Sequence, residues 1–227
     1  MESHYIDKAK EFLLSYLKGK VCEYEVTHPW RRDSKFIVLH SLRVYDYAMK
    51  ISEVMKDKLT EEDIFIIQMA AILHDIGKAE ERKNHGKRSA EIVSEWLSEN
   101  IEIKTNIKNV DRLLSIIEKH SNKDGEENDI CAAILKDADT LDEIGALSIF
   151  MASSRIDRNS SFFFNDLLHR IETYEFDFCD KQMKKLNTCY GKKLLEEKVE
   201  FIKAFNSQLS SEIEGTEEIY ELLKAEG

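Results

Sequence analysis

The sequence predicts an all-α fold: a single compact multi-helix domain with a helical C-terminal extension. The 227 residues include only 1 Pro and 8 Gly, together with many Leu, Glu and Lys, which favour helices. Hydrophobic residues make up 42% of the chain and charged residues 34%, which leaves ample apolar material for a core. Apolar residues also recur at helical spacing along most of the chain.

Charge and the cysteine pattern exclude several classes of protein. A net charge of -11 argues against a polynucleotide-binding surface, because phosphate backbones require clustered Lys and Arg. A small nucleotide ligand is still compatible with this net charge, since a metal ion and two or three cationic side chains are enough to neutralise its phosphates locally. The start of the chain predicts no signal peptide, and no apolar run approaches membrane length. Four scattered cysteines predict reduced thiols, so we expect a cytoplasmic protein without membrane contact.

The N-terminal part is predicted to contain two helices. Residues 2–18 form an amphipathic pattern, and residues 21–32, which hold the only Pro, are predicted to form a loop. Ser34 is a candidate cap for a long helix at 35–57. His40 lies within the apolar face of that helix, where a histidine on its own is more often a satisfied core residue than a ligand.

A very apolar run at residues 64–73 is too short to span a bilayer and predicts a buried helix. Thr60 begins a Thr-x-x-Asp start of the capping-box type, and Gly77 is a candidate left-handed stop. His74 and Asp75 follow the run, and burying both is costly unless a cation compensates them. The helix dipole and this ligand pair favour a divalent metal. The alternative is a core histidine beside an Asp that caps backbone amides.

Three more helices are predicted before the next acidic segment. One begins at His85 and runs to about residue 97, and another, at about 105–120, ends in His120. A polar loop at 121–129 then leads to a short apolar helix at 130–136.

Four carboxylates stand within residues 137–143, next to apolar residues, and cannot all be solvated surface. A helix that begins near Asp139 would present Asp139 and Asp142 along one face. Capping of a helix N-terminus by Asp137 or Asp139 accounts for one or two acids but not for four.

The remainder of the chain is predicted to be helical, at about 165–175, 180–209 and 215–225. The sequence shows no repeat, no low-complexity linker and no sharp boundary. We therefore expect an N-terminal helix and loop at 1–33, a core domain at 34–155, and a helical extension of the same domain at 156–227. Apolar positions on the last helices leave room for a homodimer.

The candidate ligands form an ordered set along the chain: His40, His74-Asp75, His85, His120 and Asp139. This order, with its members on separate helices, resembles the HD-domain superfamily of metal-dependent phosphohydrolases. The resemblance covers roughly residues 36–155. Lys78 in His-Asp-Ile-Gly-Lys and the segment 137–142 look typical of the family's bacterial members. The resemblance implies an HD-type helical domain.

The resemblance also implies a ligand set. His40, His74, Asp75 and Asp139 would bind one divalent metal ion, with Asp139 preferred over Asp137. His85 and His120 match positions where some branches of the family bind a second metal, and here they would contact substrate phosphate or hold a second ion loosely. The Gly-Tyr-Pro signature of the cyclic-di-GMP branch is missing. Mn, Fe, Co, Ni, Zn and Mg all suit such ligands, so the metal stays open.

The implied chemistry is hydrolysis of a phosphomonoester or phosphodiester of a small molecule, preferably a nucleotide. A bound metal lowers the pKa of water from about 15.7 towards about 7 and polarises the phosphoryl group. Asp75 is a candidate to orient or deprotonate that water, and Lys78 and Arg43 are candidates to hold phosphate charge. Arg155 is a weaker candidate, since a surface salt bridge would also explain it.

Two other functions stay open. Some HD-type proteins use a six-ligand di-metal centre for oxidation, so His85 and His120 allow a di-iron oxygenase. A non-catalytic helical module that senses a nucleotide would keep the same fold. The complete set of His and Asp residues disfavours this module, because buried ionisable groups are costly without a metal.

Overall fold

A computed structural model describes residues 2–124 and 127–225, so the predicted loop at 121–129 is described only in part. The described residues form helices joined mostly by short turns, with a longer loop at residues 18–34, and the all-α prediction is confirmed. The helices are α1 (Glu2–Leu17), α2 (Lys35–Val54), α3 (Glu61–Leu73), α4 (His85–Glu99), α5 (Ile101–Asn106), α6 (Val110–Lys119), α7 (Ile130–Asp142), α8 (Ala146–Ser153), α9 (Phe163–Arg170), α10 (Phe176–Lys185), α11 (Cys189–Ile213) and α12 (Glu217–Ala225).

The helices belong to two compact units. The first unit runs to Asp142 and includes Lys185–Gly191, and the second comprises Glu143–Lys184 and the chain from Lys192 onward. In the first unit α2 packs on α3 and α7, and α4 packs on α6. In the second unit α8 packs on α9 and on the π-helical turn Ile171–Glu175. The domain boundaries expected after residues 33 and 155 stay a prediction.

Helix α3 is the buried element of the first unit. It contacts α1, α2, α6 and α7, and its side chains from Phe65 to Leu73 are buried except Gln68. The hydroxyl of Thr60 accepts a hydrogen bond from the backbone N–H of Asp63 (3.1 Å), whose carboxylate accepts one from the N–H of Thr60 (2.9 Å). The buried helix and its capping box are both as predicted. Full burial of each large apolar side chain contributes about 1.5–3 kcal/mol.

Helix α3 ends differently from the prediction. Gly77 is not among the described residues with positive φ, which are Gly19 and Gly145. The helix ends at Leu73, and the chain continues through a 3-10 turn at Ile76–Ala79. A glycine is required at position 77 for packing, because a Cβ there would lie 2.6 Å from the backbone N of Ser89.

Three other local predictions need correction. Ser34 does not cap α2; its hydroxyl donates to the carbonyl of Leu17 (2.6 Å) and so ties the ends of α1 and α2 together. The helix expected at 105–120 begins later, at Val110, where the side chain of Asn109 caps α6, and residues 105 and 106 belong to the end of α5. The segments expected to break before Asp139 form one continuous helix, α7.

Among the described helices, none combines the length and the apolar character that crossing a bilayer requires.

Candidate metal centre

Five elements of the first unit bring the predicted ligands together. The contributing residues are His40 on α2, His74 and Asp75 after α3, His85 at the start of α4, His120 after α6 and Asp139 on α7. Residues nearly 100 positions apart thus meet in one cluster, in which overlapping groups of three are close enough to share an ion. His40, His74, Asp75 and His120 are buried, and His85 and Asp139 are partly exposed.

The first group of donor atoms comes from His40, His74, Asp75 and Asp139. Nε2 of His40 lies 3.2 Å from Asp75 Oδ2, 3.2 Å from Asp139 Oδ1 and 3.3 Å from His74 Nε2. Nε2 of His74 lies 3.8 Å from each of the same two carboxylate oxygens. Donor atoms about 2.0–2.2 Å from a shared ion lie about 3.0–3.5 Å from one another. The three separations from Nε2 of His40 fall within this range, and the two from Nε2 of His74 to the carboxylates are slightly longer.

A second group forms on the other side of Asp75. Nε2 of His85 and Nε2 of His120 are 3.2 Å apart, and they lie 3.4 and 3.3 Å from Asp75 Oδ1. The two oxygens of one carboxylate therefore face two different pairs of imidazoles. Oδ1 is fully buried and accepts no hydrogen bond from any residue that the structure describes. A buried carboxylate oxygen of this kind requires a cation nearby.

Hydrogen bonds at Nδ1 orient three of the imidazoles. Nδ1–H donates to a backbone carbonyl in each: His74 to Ala71 (2.9 Å), His85 to Arg82 (2.8 Å) and His120 to Ile117 (2.7 Å). A carbonyl can only accept, so the proton sits on Nδ1, and in the neutral ring Nε2 carries a lone pair. His85 and His120 thus point two lone pairs at each other, which a metal ion between them would satisfy.

Burial and neighbouring charge set the protonation of the centre. Burial lowers the pKa of His74 to about 3, and burial also lowers the pKa of His85. Both rings are therefore neutral at neutral pH, as metal ligation requires. Burial opposes the charging of His40, but the carboxylates of Asp139, Asp142 and Asp75 outweigh it and raise the pKa of His40 well above its usual value.

Two lysines neutralise the carboxylates of the centre. Nζ of Lys78 lies 2.6 Å from Asp75 Oδ2, and Nζ of Lys123 lies 2.6 Å from Asp139 Oδ2. Burial works against ionisation of both acids, but these ammonium groups and the nearby histidines hold the pKa of Asp75 and Asp139 well below the usual range. The centre is thus a pair of ionised carboxylates with a cation at one oxygen of each.

Arg43 contacts the centre through Asp142. Its Nε and Nη2 donate to the two carboxylate oxygens of Asp142 at 2.6 and 2.9 Å. Asp142 also accepts a hydrogen bond from Nδ1 of His40 at 2.7 Å, so the three side chains form a chain that orients the imidazole.

Close packing at a glycine helps to bring His85 and His120 together. A Cβ on Gly86 would overlap the carbonyl oxygen of Glu118, so only glycine lets the start of α4 approach the end of α6 this closely. His85 precedes this contact and His120 follows it, and the packing therefore sets the separation of the second imidazole pair.

The structure brings together most of the predicted site residues. The clustered residues are His40, His74, Asp75, His85, His120 and Asp139, with Lys78 and Arg43 in contact with acids of the centre. Arg155 lies in the second unit, after α8. The functional role of each of these residues stays a prediction.

Sequence reasoning assigned no function to two residues of the centre, Lys123 and Asp142. Lys123 stands in a polar loop with nothing to distinguish it from other surface lysines, so no sequence signal identifies it. Asp142 was recognisable only by its spacing from Asp139 on one helical face. Asp137, its neighbour in the acidic segment, instead accepts hydrogen bonds from the backbone N–H groups of Asn187 (2.8 Å) and Thr188 (2.7 Å).

Comparison with known proteins supports a family assignment. The family model described as HD domain matches residues 37–144, which include all six clustered residues. No curated protein was found to match the chain by similarity.

Several solved structures share the fold. Bacillus subtilis YpgQ in complex with ADP superposes with a TM-score of 0.60 at 24% identity, covering 93% of this chain and 96% of YpgQ. An HD-superfamily hydrolase from Bacillus thuringiensis has a TM-score of 0.61 at 22% identity, covering 93% and 98%. A predicted HD superfamily hydrolase from an uncultured Thermotogales bacterium has a TM-score of 0.59 at 21% identity, covering 91% of each chain.

Identities this low establish likeness of fold and nothing finer. The shared fold, the matching family model and the cluster of histidines and aspartates nevertheless agree with one another. The predicted resemblance to the HD-domain superfamily is therefore confirmed by a family model that matches residues 37–144.

Proposed function

We propose that this protein is a metal-dependent phosphohydrolase that cleaves a phosphate ester of a small molecule, preferably a nucleotide. One observation carries the proposal: the imidazole Nε2 atoms converge on Asp75 and Asp139, with the ammonium groups of two lysines at the edge of the same cluster. Metal ions and fixed ammonium groups at one place suit a phosphate group, which carries negative charge on several oxygens.

The residues that would hold the metal divide into two sets. His40, His74, Asp75 and Asp139 would bind the first ion, and His85, His120 and the second oxygen of Asp75 would bind another. A second ion is preferred over direct phosphate contact because the neutral His85 presents a lone pair at Nε2, and phosphate oxygens need donors. A bound divalent ion supplies an activated water molecule and polarises the phosphoryl group.

The side chains of the protein itself would neutralise phosphate charge and position the metal ligands and the attacking water. Lys78 contacts Asp75 and, on a flexible stem, is within reach of a phosphate oxygen beside it. Arg43 holds Asp142, which in turn fixes the ring of His40. Contact of Arg43 and Arg155 with the substrate stays a prediction. Asp75, which faces both imidazole pairs, is our candidate to orient the attacking water.

Two observations support the nucleotide class. The related YpgQ was solved in complex with ADP, so a protein of this fold accommodates a nucleoside diphosphate. The net charge of -11 also disfavours polynucleotides while leaving a small phosphorylated compound compatible with the local cations. We therefore prefer a nucleotide to other small phosphorylated compounds as the substrate.

A di-iron oxygenase is the second candidate, and the six-residue donor set favours it. Four histidines and two aspartates, with one carboxylate facing both imidazole pairs, would also suit two irons. Phosphohydrolysis is preferred because Lys78 and Lys123 add positive charge at the cluster, which a phosphorylated substrate needs.

The test is metal analysis of the purified protein beside a phosphate-release screen. Nucleoside mono-, di- and triphosphates and cyclic nucleotides are offered with Mn²⁺, Co²⁺ or Mg²⁺. We expect metal-dependent phosphate or nucleotide release that is lost in Asp75→Asn, with His169→Ala, an exposed residue of the second unit, as the control. Two bound irons with an oxygen-dependent product and no hydrolysis would replace the proposal by the oxygenase.

A further inference from the structure

The loop after α6 places a lysine on a candidate metal ligand. Nζ of Lys123 lies 2.6 Å from Oδ2 of Asp139, and the lysine side chain is only 22% exposed. The other oxygen of the same carboxylate, Oδ1, faces His40 and His74. Asp139 therefore divides its two oxygens between the first imidazole pair and this ammonium group.

Lys123 and Lys78 are equivalent in their relation to the centre. Each ammonium group contacts an oxygen of one candidate ligand, Asp139 for Lys123 and Asp75 for Lys78, at the same distance. The two lysines come from different turns, one after α3 and one after α6. Without an ion, one ammonium group thus lies against each of the two carboxylates.

Binding of a divalent ion changes this arrangement of charges. The ion neutralises the two carboxylates, and the ammonium groups are then surplus charges next to a cation. Each lysine stem is flexible, so the ammonium group moves away from the ion towards any anion at the same place. A phosphate group held by the ion is such an anion.

Two ion pairs involve acidic residues that follow Lys123 in the chain. Asp124 pairs with Lys185 at 3.1 Å, and Glu127 pairs with Lys136 at 2.6 Å. Neither pair involves Lys123, whose ammonium group can turn about its own flexible stem. A rotation of its side chain is therefore enough for Lys123 to exchange partners.

We infer that Lys123 exchanges Asp139 for a phosphate oxygen of the substrate when the centre binds metal, so that it opposes metal binding and promotes phosphate binding. The inference rests on the proposed function, since it deepens the account of the same site. It adds a phosphate-binding residue that no sequence pattern identified.

The experiment measures two affinities by calorimetry on the full chain: Mn²⁺ alone, and ADP in the presence of saturating Mn²⁺. In Lys123→Gln we expect Mn²⁺ to bind about three- to tenfold more tightly, because a competing cation is gone. We expect ADP to bind about 10- to 100-fold more weakly, because a charge-assisted hydrogen bond is lost. Lys123→Arg should retain most of the ADP affinity.

Lys185→Gln is the matched control, since it removes a lysine that pairs with Asp124 of the same loop without contacting Asp139. Both of its affinities should equal those of the unmodified protein. Unchanged ADP affinity in Lys123→Gln would overturn the inference, and so would weaker Mn²⁺ binding, which would indicate a structural role. Absence of both ADP and inorganic phosphate binding in the unmodified protein would also count against it.

Failure of the proposed function gives a different result. In that case the unmodified protein binds Mn²⁺ and ADP but releases no phosphate, and the two affinities still decide the role of Lys123.

Discussion

Each of His74, His85 and His120 uses one ring nitrogen to bind a backbone carbonyl three residues earlier in the chain. Because this local bond fixes the proton on Nδ1, the orientation of Nε2 is set before any tertiary contact is considered. Two of these histidines follow the last residue of a helix, where unpaired carbonyls are available. The end of a helix is therefore a natural place for a metal-binding histidine.

The number of bound ions can be tested at His85. His85→Ala removes one donor from the second group only, so we expect Mn²⁺ stoichiometry to fall from two ions per chain to one. His74→Ala should instead impair the first group. Mass spectrometric metal analysis after equilibrium dialysis measures both. Two ions retained in His85→Ala would contradict the proposal of a second ion.

Asp142 is predicted to act by positioning His40. Asp142→Ala leaves Nδ1 of His40 and the guanidinium of Arg43 without this carboxylate, and we expect Mn²⁺ affinity to fall about 10- to 100-fold. Asp142→Asn keeps an acceptor oxygen for the ring and should show a smaller loss. Calorimetric titration measures both variants, with Asp46→Asn, an exposed residue of the helix that carries His40, as the control. Equal losses in the Ala and Asn variants would argue against positioning.

At the scale of the elements, glycines decide how closely the helices of the centre approach. Gly77 allows the turn after α3 to contact the backbone of α4 at Ser89, and Gly86 allows α4 to contact the end of α6. Neither glycine has a positive φ, so the backbone conformation does not require a glycine at either position. Their absent side chains therefore matter for packing, which sequence patterns of turns do not reveal.

Gly86→Ala tests this packing. The added methyl group would overlap the carbonyl of Glu118, so α4 and α6 must separate, and we expect a loss of about 1–3 kcal/mol in the free energy of unfolding. Affinity for the second ion should fall as well, since His85 adjoins the displaced residue. Denaturant unfolding and Mn²⁺ stoichiometry are the measurements. Ser94→Ala, at an exposed position of α4, should leave both unchanged.

An ion-pair network joins α1, the turn after α3, and α4. Glu80 contacts Lys20, accepts a hydrogen bond from Tyr16 (2.7 Å) and pairs with Arg88 (2.8 Å). Burial opposes its ionisation, but these partners lower the pKa of Glu80 from 4.5 to about 2. Because the pKa is lower in the folded state, the stabilisation is complete above pH 4.5 and is lost as the pH falls towards 2.

In Glu80→Gln, the free energy of unfolding should therefore depend less steeply on pH between pH 4.5 and pH 2. The side chain is 32% exposed, so solvent screening limits the expected loss at pH 7 to about 1 kcal/mol. Urea unfolding at a series of pH values measures it. Glu53→Gln, which breaks an exposed pair with Lys56, should leave the curve unchanged. An identical pH dependence in Glu80→Gln would show that the network contributes no pH-dependent stability.

At the scale of the whole molecule, metal binding and folding are expected to be linked. The unfolded chain has no assembled cluster, so an ion binds the folded state preferentially. At an ion concentration of about 100 times the dissociation constant, the stabilisation is about 2.7 kcal/mol. We expect the melting temperature to fall on treatment with a chelator and to recover with Mn²⁺. The effect should be strongly reduced in His74→Ala, and an equal response of that variant would place the stabilising ion elsewhere.

The amino-acid sequence alone determined the helical class, the buried helix α3 with its capping box, and the order of the candidate ligands. These features depend on local propensity, on apolar periodicity and on a hydrogen bond that spans three residues, all of which can be read from neighbouring positions. The position of the histidines at helix ends was predictable for the same reason.

Only the tertiary structure decided which polar groups meet. It placed the two oxygens of Asp75 between two imidazole pairs, joined Arg43 to Asp142, and brought Lys123 from a polar loop to Asp139. It also showed that Gly77 serves close packing, and that the acids at 137–142 lie within one helix. The physical reason is that distances between side chains on different helices depend on how those helices pack, and packing is a property of the assembled core.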